Sequence, residues 1–252
     1  MVSVILPTYN EAGNIVDLSI AIHKAITQPH EIIVVDDNSP DGTSRLIQEL
    51  IDSGGCPGLR LEIRMTDRGL TKSIQRGIDL AQGDTIAWLD CDFSMPPAVI
   101  PQLLSKIETG YDIAVASRFI SGGVAKEGQQ WFGGEESKAA ILLSKILNWF
   151  LRHALFSSFT DYTSGFIAIR RDVLQKIRLH GDYGEYFIDL IYRAILHGYS
   201  FIEIPYTSVP RRAGESKTGA SFTGLFKRGL PYLGTILKMW GLRLRHMLGG
   251  SV

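Results

Sequence analysis

Residues 31–43 read Glu-Ile-Ile-Val-Val-Asp-Asp-Asn-Ser-Pro-Asp-Gly-Thr. The apolar run at the start of this stretch shows no polar alternation, which is typical of a parallel strand that is buried on both faces. Acidic and turn-forming residues follow at once, and Thr43 then opens a segment with helical periodicity. A strand that passes through a short polar loop into a helix is the repeating unit of a parallel α/β sheet.

The same unit recurs through the first half of the chain. Strands are predicted at Val2–Leu6, Glu31–Val35, Leu59–Arg64, Thr85–Leu89 and Asp112–Ala116. Helices are predicted at Asn14–Ile26, Thr43–Ile51, Thr71–Ala81 and Ala98–Thr109, with Thr43 and Thr71 as N-caps. This alternation predicts a doubly wound, Rossmann-like, mainly parallel sheet flanked by helices.

The second half is less regular. It contains a glycine-rich segment, Gly122–Gly134, that is predicted to form a mobile loop over the site. Further elements are predicted as a helix at Lys138–Leu155, a strand at Phe166–Arg170, a helix at Tyr186–His197 and a strand at Ser200–Pro205. We expect one α/β domain over residues 1–218 and a basic amphipathic helical tail over residues 219–252.

A neutral total charge hides a segregation of charge along the chain. The 252 residues include 26 Lys and Arg and 26 Asp and Glu. The first 210 residues carry 18 basic and 25 acidic side chains, whereas residues 211–252 carry eight basic side chains and one acidic. The neutral total argues against a nucleic-acid partner. The basic tail favours contact with an anionic membrane surface or with a membrane-anchoring partner subunit.

Cysteine content and hydropathy indicate the compartment. Cys56 and Cys91 are the only cysteines, and no secretory signal opens the sequence, so a reducing cytosol is expected. The most apolar windows, Ala139–Phe156 and Leu225–Leu248, are interrupted by Lys and Arg and fall short of the ~18 uninterrupted apolar residues of a membrane span. We expect a cytoplasmic protein that is peripheral on the cytosolic face of a membrane.

Acidic side chains follow two of the predicted strands. Asp36 and Asp37 come after the second strand, and Asp90 and Asp92 come after the fourth. Ligands of doubly wound sheets bind at the carboxyl ends of the strands, where these carboxylates would meet. Two acids two residues apart on an extended segment project the same way and offer hard oxygen ligands to Mg²⁺ or Mn²⁺. Turn formation is the alternative interpretation of such acids.

Phosphate groups would have to be bound by the metal and by cationic side chains. The sequence contains no glycine-rich dinucleotide fingerprint after the first strand and no P-loop. Arg118 follows the fifth strand, and Arg211, Ser216 and Lys217 form a second polar and cationic cluster. Together with an acidic metal site, these residues would form a two-sided phosphate clamp.

Six motifs stand in the order found in the family-2 inverting glycosyltransferases. They are Pro7–Glu11, Val34–Thr43, Leu89–Asp92, Ala116–Phe119 with Gly122-Gly123, Thr163–Phe166 and Gly214–Lys217. Over about residues 2–218 the chain resembles the dolichol-phosphate mannose synthase branch of that family. The resemblance implies a GT-A fold, a nucleotide-sugar donor such as GDP-mannose, and a polyprenyl (dolichyl) phosphate acceptor.

The resemblance also implies roles for individual residues. Pro7, Tyr9, Glu11, Val35 and Asp37 would line the pocket for the base and ribose. Asp90 and the Cys91 backbone would lie near the ribose and sugar, Asp92 and Ser94 would hold the metal, and Arg118, Arg211, Ser216 and Lys217 would bind phosphates. Two features depart from the branch: no Arg occurs between Phe119 and Leu151, and Gly184–Leu190 lacks its aromatic-Gln-x-Glu pattern.

Three functions remain open at this point. A lipid phosphate acceptor is already anionic and needs no general base, which suits the cationic cluster. A saccharide hydroxyl acceptor would need a base, for which Asp161 and Asp189 are the candidates, and Asp189 is therefore included with Asp90 and Asp92 as a predicted catalytic residue. The third alternative is a non-catalytic subunit that binds a nucleotide sugar.

Overall fold

The computed structural model describes residues 1–125, 138–213 and 234–245. Its strands are β1 (Val2–Thr8), β2 (His30–Asp36), β3 (Leu59–Ile63), β4 (Thr85–Trp88), β5 (Ile113–Ser117), β6 (Ile167–Arg170) and β7 (Phe201–Pro205). Its helices are α1 (Ile15–Ala25), α2 (Thr43–Asp52), α3 (Leu70–Leu80), α4 (Ile100–Glu108), α5 (Lys138–Ala154), α6 (Arg171–Lys176) and α7 (Glu185–Leu196). Residues 234–245 form a further C-terminal helix.

The seven strands form one mostly parallel sheet in the order β3-β2-β1-β4-β6-β5-β7. β6 runs antiparallel to both of its neighbours, β4 and β5, whereas the other pairs are parallel. The predicted doubly wound, mainly parallel sheet is thus confirmed. The glycine-rich loop falls largely outside the described residues, as does most of the basic tail.

Two hydrophobic clusters cover the two faces of the sheet. Alternation along β2 assigns Ile33 and Val35 to one cluster and Ile32 and Val34 to the other. The first cluster contains side chains of α3, α5, α6, α7 and the C-terminal helix. The second contains side chains of α1, α2 and α4. Because both faces of the central strands are buried, those strands are nearly continuous apolar runs.

The N-caps of α2 and α3 differ from the prediction. Gly42 (φ 90°) and Gly69 (φ 146°) hold the cap positions, and both have a positive φ that favours glycine. Thr43 and Thr71 are therefore the first residue of α2 and the second residue of α3, and they are not caps. Within the described residues, no helix combines the length and apolar character needed to cross a bilayer.

Candidate active site

A cavity of about 470 Å³ opens at the carboxyl ends of the N-terminal strands. The strand order changes direction between β1 and β4, and such switch points are where doubly wound sheets bind ligands. The lining residues come from the end of β1, from the segments after β1, β2, β3 and β4, from the first turn of α3, from the segment before α7 and from Arg211. They are Pro7, Thr8, Tyr9, Glu11, Asp37, Arg68, Gly69, Leu70, Ser73, Asp90, Cys91, Asp92, Asp182, Tyr183 and Arg211.

The segment after β1 is held by the segment after β2. The backbone N–H groups of Asn10 and Glu11 donate to the side-chain oxygens of Ser39 (2.9 Å) and Thr43 (3.0 Å). Asp41 accepts in turn from the Thr43 hydroxyl at 2.6 Å. Thr43 thus links the two segments where a helix cap was expected. These bonds fix the part of the chain that carries the lining residues Pro7, Tyr9 and Glu11.

Asp37 lies in the cavity with both carboxylate oxygens engaged. Oδ1 accepts from Arg64 Nη1 and from the Ser73 hydroxyl, each at 2.7 Å, and Oδ2 accepts from the Gly69 N–H at 2.8 Å. These donors join the ends of β2 and β3 to the first turn of α3. Val35, which was also expected to line the base pocket, has its side chain in the hydrophobic core and is not among the lining residues.

The segment after β4 directs two carboxylates into the cavity and turns one thiol away from them. Asp92 Oδ1 accepts from the Ser94 N–H (2.8 Å), and Oδ2 pairs with Arg211 Nη1 (2.9 Å). The Cys91 thiol donates to the Pro7 carbonyl at 3.4 Å, which anchors the segment to β1. Ser94 itself is buried next to Asp92 and does not line the cavity.

Asp90 is exposed to the cavity but lies deep among protein atoms. Desolvation raises the pKa of its carboxyl to about 6, with further contributions from the negative charges of Asp92 and Glu11. The charges of Arg211 and Arg118 act in the opposite direction without reversing the shift. Arg211 and Arg118 therefore compensate the negative charge of this cluster only in part.

This donor set fits a divalent cation that takes part of its coordination shell from substrate. Mg²⁺ is commonly held by one or two carboxylates together with phosphate oxygens and water. Asp90 and Asp92 supply two hard oxygen donors at the cavity wall. Across the described part of the chain, no group of three or more His, Cys, Asp or Glu side chains could hold a metal ion without such help.

Arg118 is anchored beside the cavity by a buried partner. Its guanidinium forms a two-pronged pair with Asp161, through Nε (2.9 Å) and Nη2 (2.7 Å), and Nη2 also donates to Thr163. Desolvation acts to lower the pKa of Arg118, but the charge of the fully buried Asp161 outweighs it, so the pKa is raised. Arg118 does not itself line the cavity, although its charge reaches Asp90.

Asp189 lies in α7, away from the cavity lining. Its Oδ2 pairs with Arg193 Nε (2.7 Å), and its Oδ1 pairs with Lys238 Nζ of the C-terminal helix (2.9 Å). His180 Nδ1 lies 3.5 Å from Oδ2. These contacts favour a structural role, and catalysis by Asp189 stays a prediction. Ser216 and Lys217 lie outside the described residues.

Two groups of lining residues were missed by the sequence analysis. Arg68, Gly69, Leu70 and Ser73 follow β3, and the Arg68 guanidinium lies 5.4 Å from the centre of the Tyr9 ring. Their position after a parallel strand was the signal that could have identified them. Asp182 and Tyr183 precede α7, and their N–H groups donate to Glu185 Oε1. No pattern in the sequence marked them, because they reach the cavity only through tertiary packing.

Comparisons with known proteins identify the family. The model of "Glycosyl transferase family 2" matches residues 3–178. The dolichol-phosphate mannosyltransferase of Pyrococcus furiosus is 35% identical over 218 residues, which are 86% of this chain and 58% of that protein. The polyprenol monophosphomannose synthase of Mycolicibacterium smegmatis is 36% identical over 224 residues, 86% of this chain and 81% of that protein. The chain thus spans less than two thirds of the archaeal relative.

Solved structures share the fold. Glucosyl-3-phosphoglycerate synthase from Mycobacterium tuberculosis, in complex with Mn²⁺, UDP and glucosyl-3-phosphoglycerate, superimposes with a TM-score of 0.70 at 19% identity. The match covers 96% of this chain and 80% of that one. The same enzyme in complex with Mg²⁺ and UDP gives the same TM-score. The fold is GT-A, and by its family match and its relatives the chain belongs to glycosyl transferase family 2.

Proposed function

We propose that this protein is a metal-dependent inverting glycosyltransferase that transfers mannose from GDP-mannose to a polyprenyl (dolichyl) phosphate. The observation that carries the proposal is the pair of carboxylates, Asp90 and Asp92, in a cavity at the switch point of a GT-A sheet. The two relatives named for mannosyl transfer to dolichol or polyprenol phosphate support the choice of sugar and acceptor.

Asp90 and Asp92 would hold the metal with Ser94 beside them. When bound, Mg²⁺ or Mn²⁺ supplies Lewis-acid stabilisation of the charge that develops on the leaving diphosphate. Arg211 already pairs with Asp92 and lines the cavity, so its guanidinium is placed to donate to the same diphosphate. Pro7, Tyr9, Glu11 and Asp37 lie where a base and ribose would bind.

The acceptor would react through a phosphate oxygen that is already anionic. That oxygen attacks the anomeric carbon, a new carbon–oxygen bond forms, and the bond to the nucleoside diphosphate breaks with inversion. No proton has to be removed from a phosphate oxygen at neutral pH, so this chemistry needs no general base. The engagement of Asp161 by Arg118 and of Asp189 by Arg193 and Lys238 supports this acceptor over a saccharide hydroxyl.

We also propose that the protein is peripheral on the cytosolic face of a membrane and docks through its basic tail, alone or with an anchoring subunit. Leu237, Trp240 and Leu244 of the C-terminal helix are exposed by 65%, 41% and 59%. Trp240 donates to the Ala154 carbonyl (2.8 Å), which places this helix beside the end of α5, where Trp149 is 61% exposed. Exposed cations on the same helices include Lys145, Arg243 and Arg245.

The test is transfer itself. The protein is incubated with Mg²⁺ or Mn²⁺, a panel of nucleotide sugars and a polyprenyl phosphate, and the lipid product is identified by mass. We expect mannosyl transfer from GDP-mannose. Asp92→Asn keeps the shape of the side chain but removes its charge, and should lower kcat/KM by about 10²–10³-fold, as expected when charge stabilisation in the transition state is lost.

The matched control is Asp52→Asn. Asp52 is an exposed acid at the end of α2 whose carboxylate accepts from the side chain of Gln48. This variant should transfer at the wild-type rate. Full turnover by Asp92→Asn would disprove the metal-site assignment, and transfer to a saccharide hydroxyl without transfer to lipid phosphate would overturn the acceptor.

A further inference from the structure

Glu203 is a partly buried carboxylate that the proposed transfer does not use. It lies in β7, and its carboxylate contacts the segment Thr160-Asp161, which is called the turn below. Its Oε2 accepts from the Thr160 N–H (2.8 Å), and its Oε1 accepts from the Thr160 hydroxyl (2.6 Å) and the Asp161 N–H (3.0 Å). Burial raises the pKa of Glu203 despite these bonds. A turn N–H left without this acceptor would be a buried unsatisfied donor.

The turn that Glu203 holds carries the partner of Arg118. Asp161 Oδ2 accepts from both the backbone N–H (3.0 Å) and Nε (2.9 Å) of Arg118, and Oδ1 accepts from Nη2 (2.7 Å). The position of the guanidinium is therefore set by the position of the Asp161 carboxylate. That position is set in turn by Glu203, across 42 residues of sequence.

Arg118 keeps donor capacity for a ligand. Its Nε and Nη2 groups are engaged by Asp161 and Thr163, whereas its Nη1 group has no hydrogen-bond partner among the residues that the structure describes. The Arg118 side chain is 20% exposed, and its charge acts on Asp90 of the cavity wall, so the two side chains are close enough to interact. Asp161 and Thr163 hold the planar guanidinium from one side. The N–H groups that remain free therefore point in one direction, which is a geometry that suits donation to a phosphate oxygen.

We propose that Glu203 is a positioning residue for phosphate recognition, acting through Asp161 to aim the Arg118 guanidinium at a substrate phosphate. This inference rests on the proposed function, because it takes Arg118 as a phosphate ligand. Two carboxylates thus determine the position of the Arg118 guanidinium. Asp161 binds the guanidinium directly, and Glu203 accepts from the Asp161 N–H and so holds Asp161 in place.

The experiment compares Glu203→Gln with Arg118→Lys and with the double variant. The introduced amide would place an NH₂ group or a neutral oxygen against the turn, so the turn and the guanidinium should shift. We expect KM for one phosphate-bearing substrate to rise about tenfold with kcat changed by less than about threefold, the pattern of lost ground-state binding. Arg118→Lys should raise KM for the same substrate. The double variant should resemble Arg118→Lys alone, because the two residues act in one chain.

The matched control is Glu62→Gln. Glu62 lies in β3, at the opposite edge of the sheet, and pairs with Arg76 (2.8 Å). It should leave both KM values unchanged. If Glu203→Gln does not fold, Thr160→Ala removes one hydroxyl donor to Glu203 and should produce a smaller rise in the same KM.

Binding is measured alongside turnover by calorimetry, with GDP and with a short-chain polyprenyl phosphate as separate probes. The affected probe identifies which phosphate Arg118 contacts. Lower thermal stability with unchanged KM and unchanged affinity, or independent effects of Glu203→Gln and Arg118→Lys, would overturn the inference. Absence of any transfer by the wild type would overturn the proposed function, while the binding measurements would still test Glu203.

Discussion

Adjacent acids at the end of β2 differ in the donors that surround them. Asp36 is fully buried and accepts from the Thr8 hydroxyl (3.1 Å), the Ser39 N–H (2.9 Å) and the Ser44 hydroxyl (2.5 Å). Asp37 points the other way, as successive residues of a strand do, and lines the cavity. One carboxylate therefore stabilises the loop, and the other forms part of the cavity wall.

The other acid of β2, Glu31, lies at the opposite end of the strand from the cavity. It accepts from the Ser3 hydroxyl (2.7 Å) and the Gln82 N–H (2.6 Å) and pairs with Arg60 (2.5 Å). Although burial opposes ionisation, these donors together lower the pKa of Glu31 from its ordinary 4.5. Glu31→Gln should lower the free energy of unfolding at pH 7 by about 1–3 kcal/mol, measured by urea denaturation.

The pH dependence of that loss has a definite sign. A lowered pKa in the folded state stabilises the protein fully above the unfolded value of 4.5, and this contribution is lost as pH falls through the folded value. The difference in the free energy of unfolding between the wild type and Glu31→Gln should therefore become smaller below pH 4.5. Glu49→Gln is the control: it removes an exposed ion pair with Arg45 and should lower the free energy of unfolding by less than about 0.5 kcal/mol. If the difference between the wild type and Glu31→Gln instead grew in acid, the stabilising role of the ionised Glu31 carboxylate would be contradicted.

At the scale of elements, local patterns predicted most of the fold. Most strands of the first half are nearly continuous apolar runs, so their positions and their buried state could be read directly, whereas the edge strand β3 alternates apolar and charged residues. The antiparallel insertion of β6 between β4 and β5 could not be predicted, because Ile167–Arg170 has the same apolar pattern in either direction. The short helix α6 is too brief for a helical period to appear.

The same limit explains which site residues could be predicted. Asp37, Asp90 and Asp92 follow strands whose pattern is clear, so their meeting at one sheet edge could be foreseen. The engagement of Asp189 by Lys238 joins residues 49 apart, and no local pattern encodes that contact. Whether an acidic side chain is available to a metal or substrate, or is used to stabilise the fold, depends on side chains that are distant in the sequence.

The link between α7 and the C-terminal helix gives a prediction at this scale. Asp189→Asn would leave the buried Arg193 without its counter-charge and should lower the free energy of unfolding by about 3 kcal/mol. Because Asp189 does not line the cavity, kcat should stay within about threefold of wild type, as checked by thermal unfolding and steady-state kinetics. Lys238→Met, at a half-exposed partner, should show a smaller loss of stability. A loss of kcat above a hundredfold with unchanged stability would restore Asp189 as the general base.

For the whole molecule, charge is segregated along the chain into an acidic part and a basic tail. The acidic part contains the strand-end carboxylates, whose negative charge is only partly compensated, and the basic tail includes a helix with apolar side chains exposed to solvent. That helix also buries Ile236 and Met239 in the core. Deletion of the whole tail would therefore expose core residues as well as remove a docking surface, so substitutions of exposed residues give the cleaner test.

The combined variant Trp149→Ser with Leu244→Ser removes exposed apolar side chains from α5 and the C-terminal helix without altering the core. If these helices contact lipid, the binding constant for anionic vesicles should fall by at least about tenfold, since burial of two such side chains is worth more than about 1.4 kcal/mol. Vesicle binding is measured by sedimentation at low and at high salt. Binding of the wild type should weaken as salt is raised, because the exposed cations contribute to it. Met65→Ser removes a side chain that is 69% exposed at the end of β3 and should bind as wild type does. Equal binding by all three proteins would show that the apolar faces of these helices do not contact the membrane.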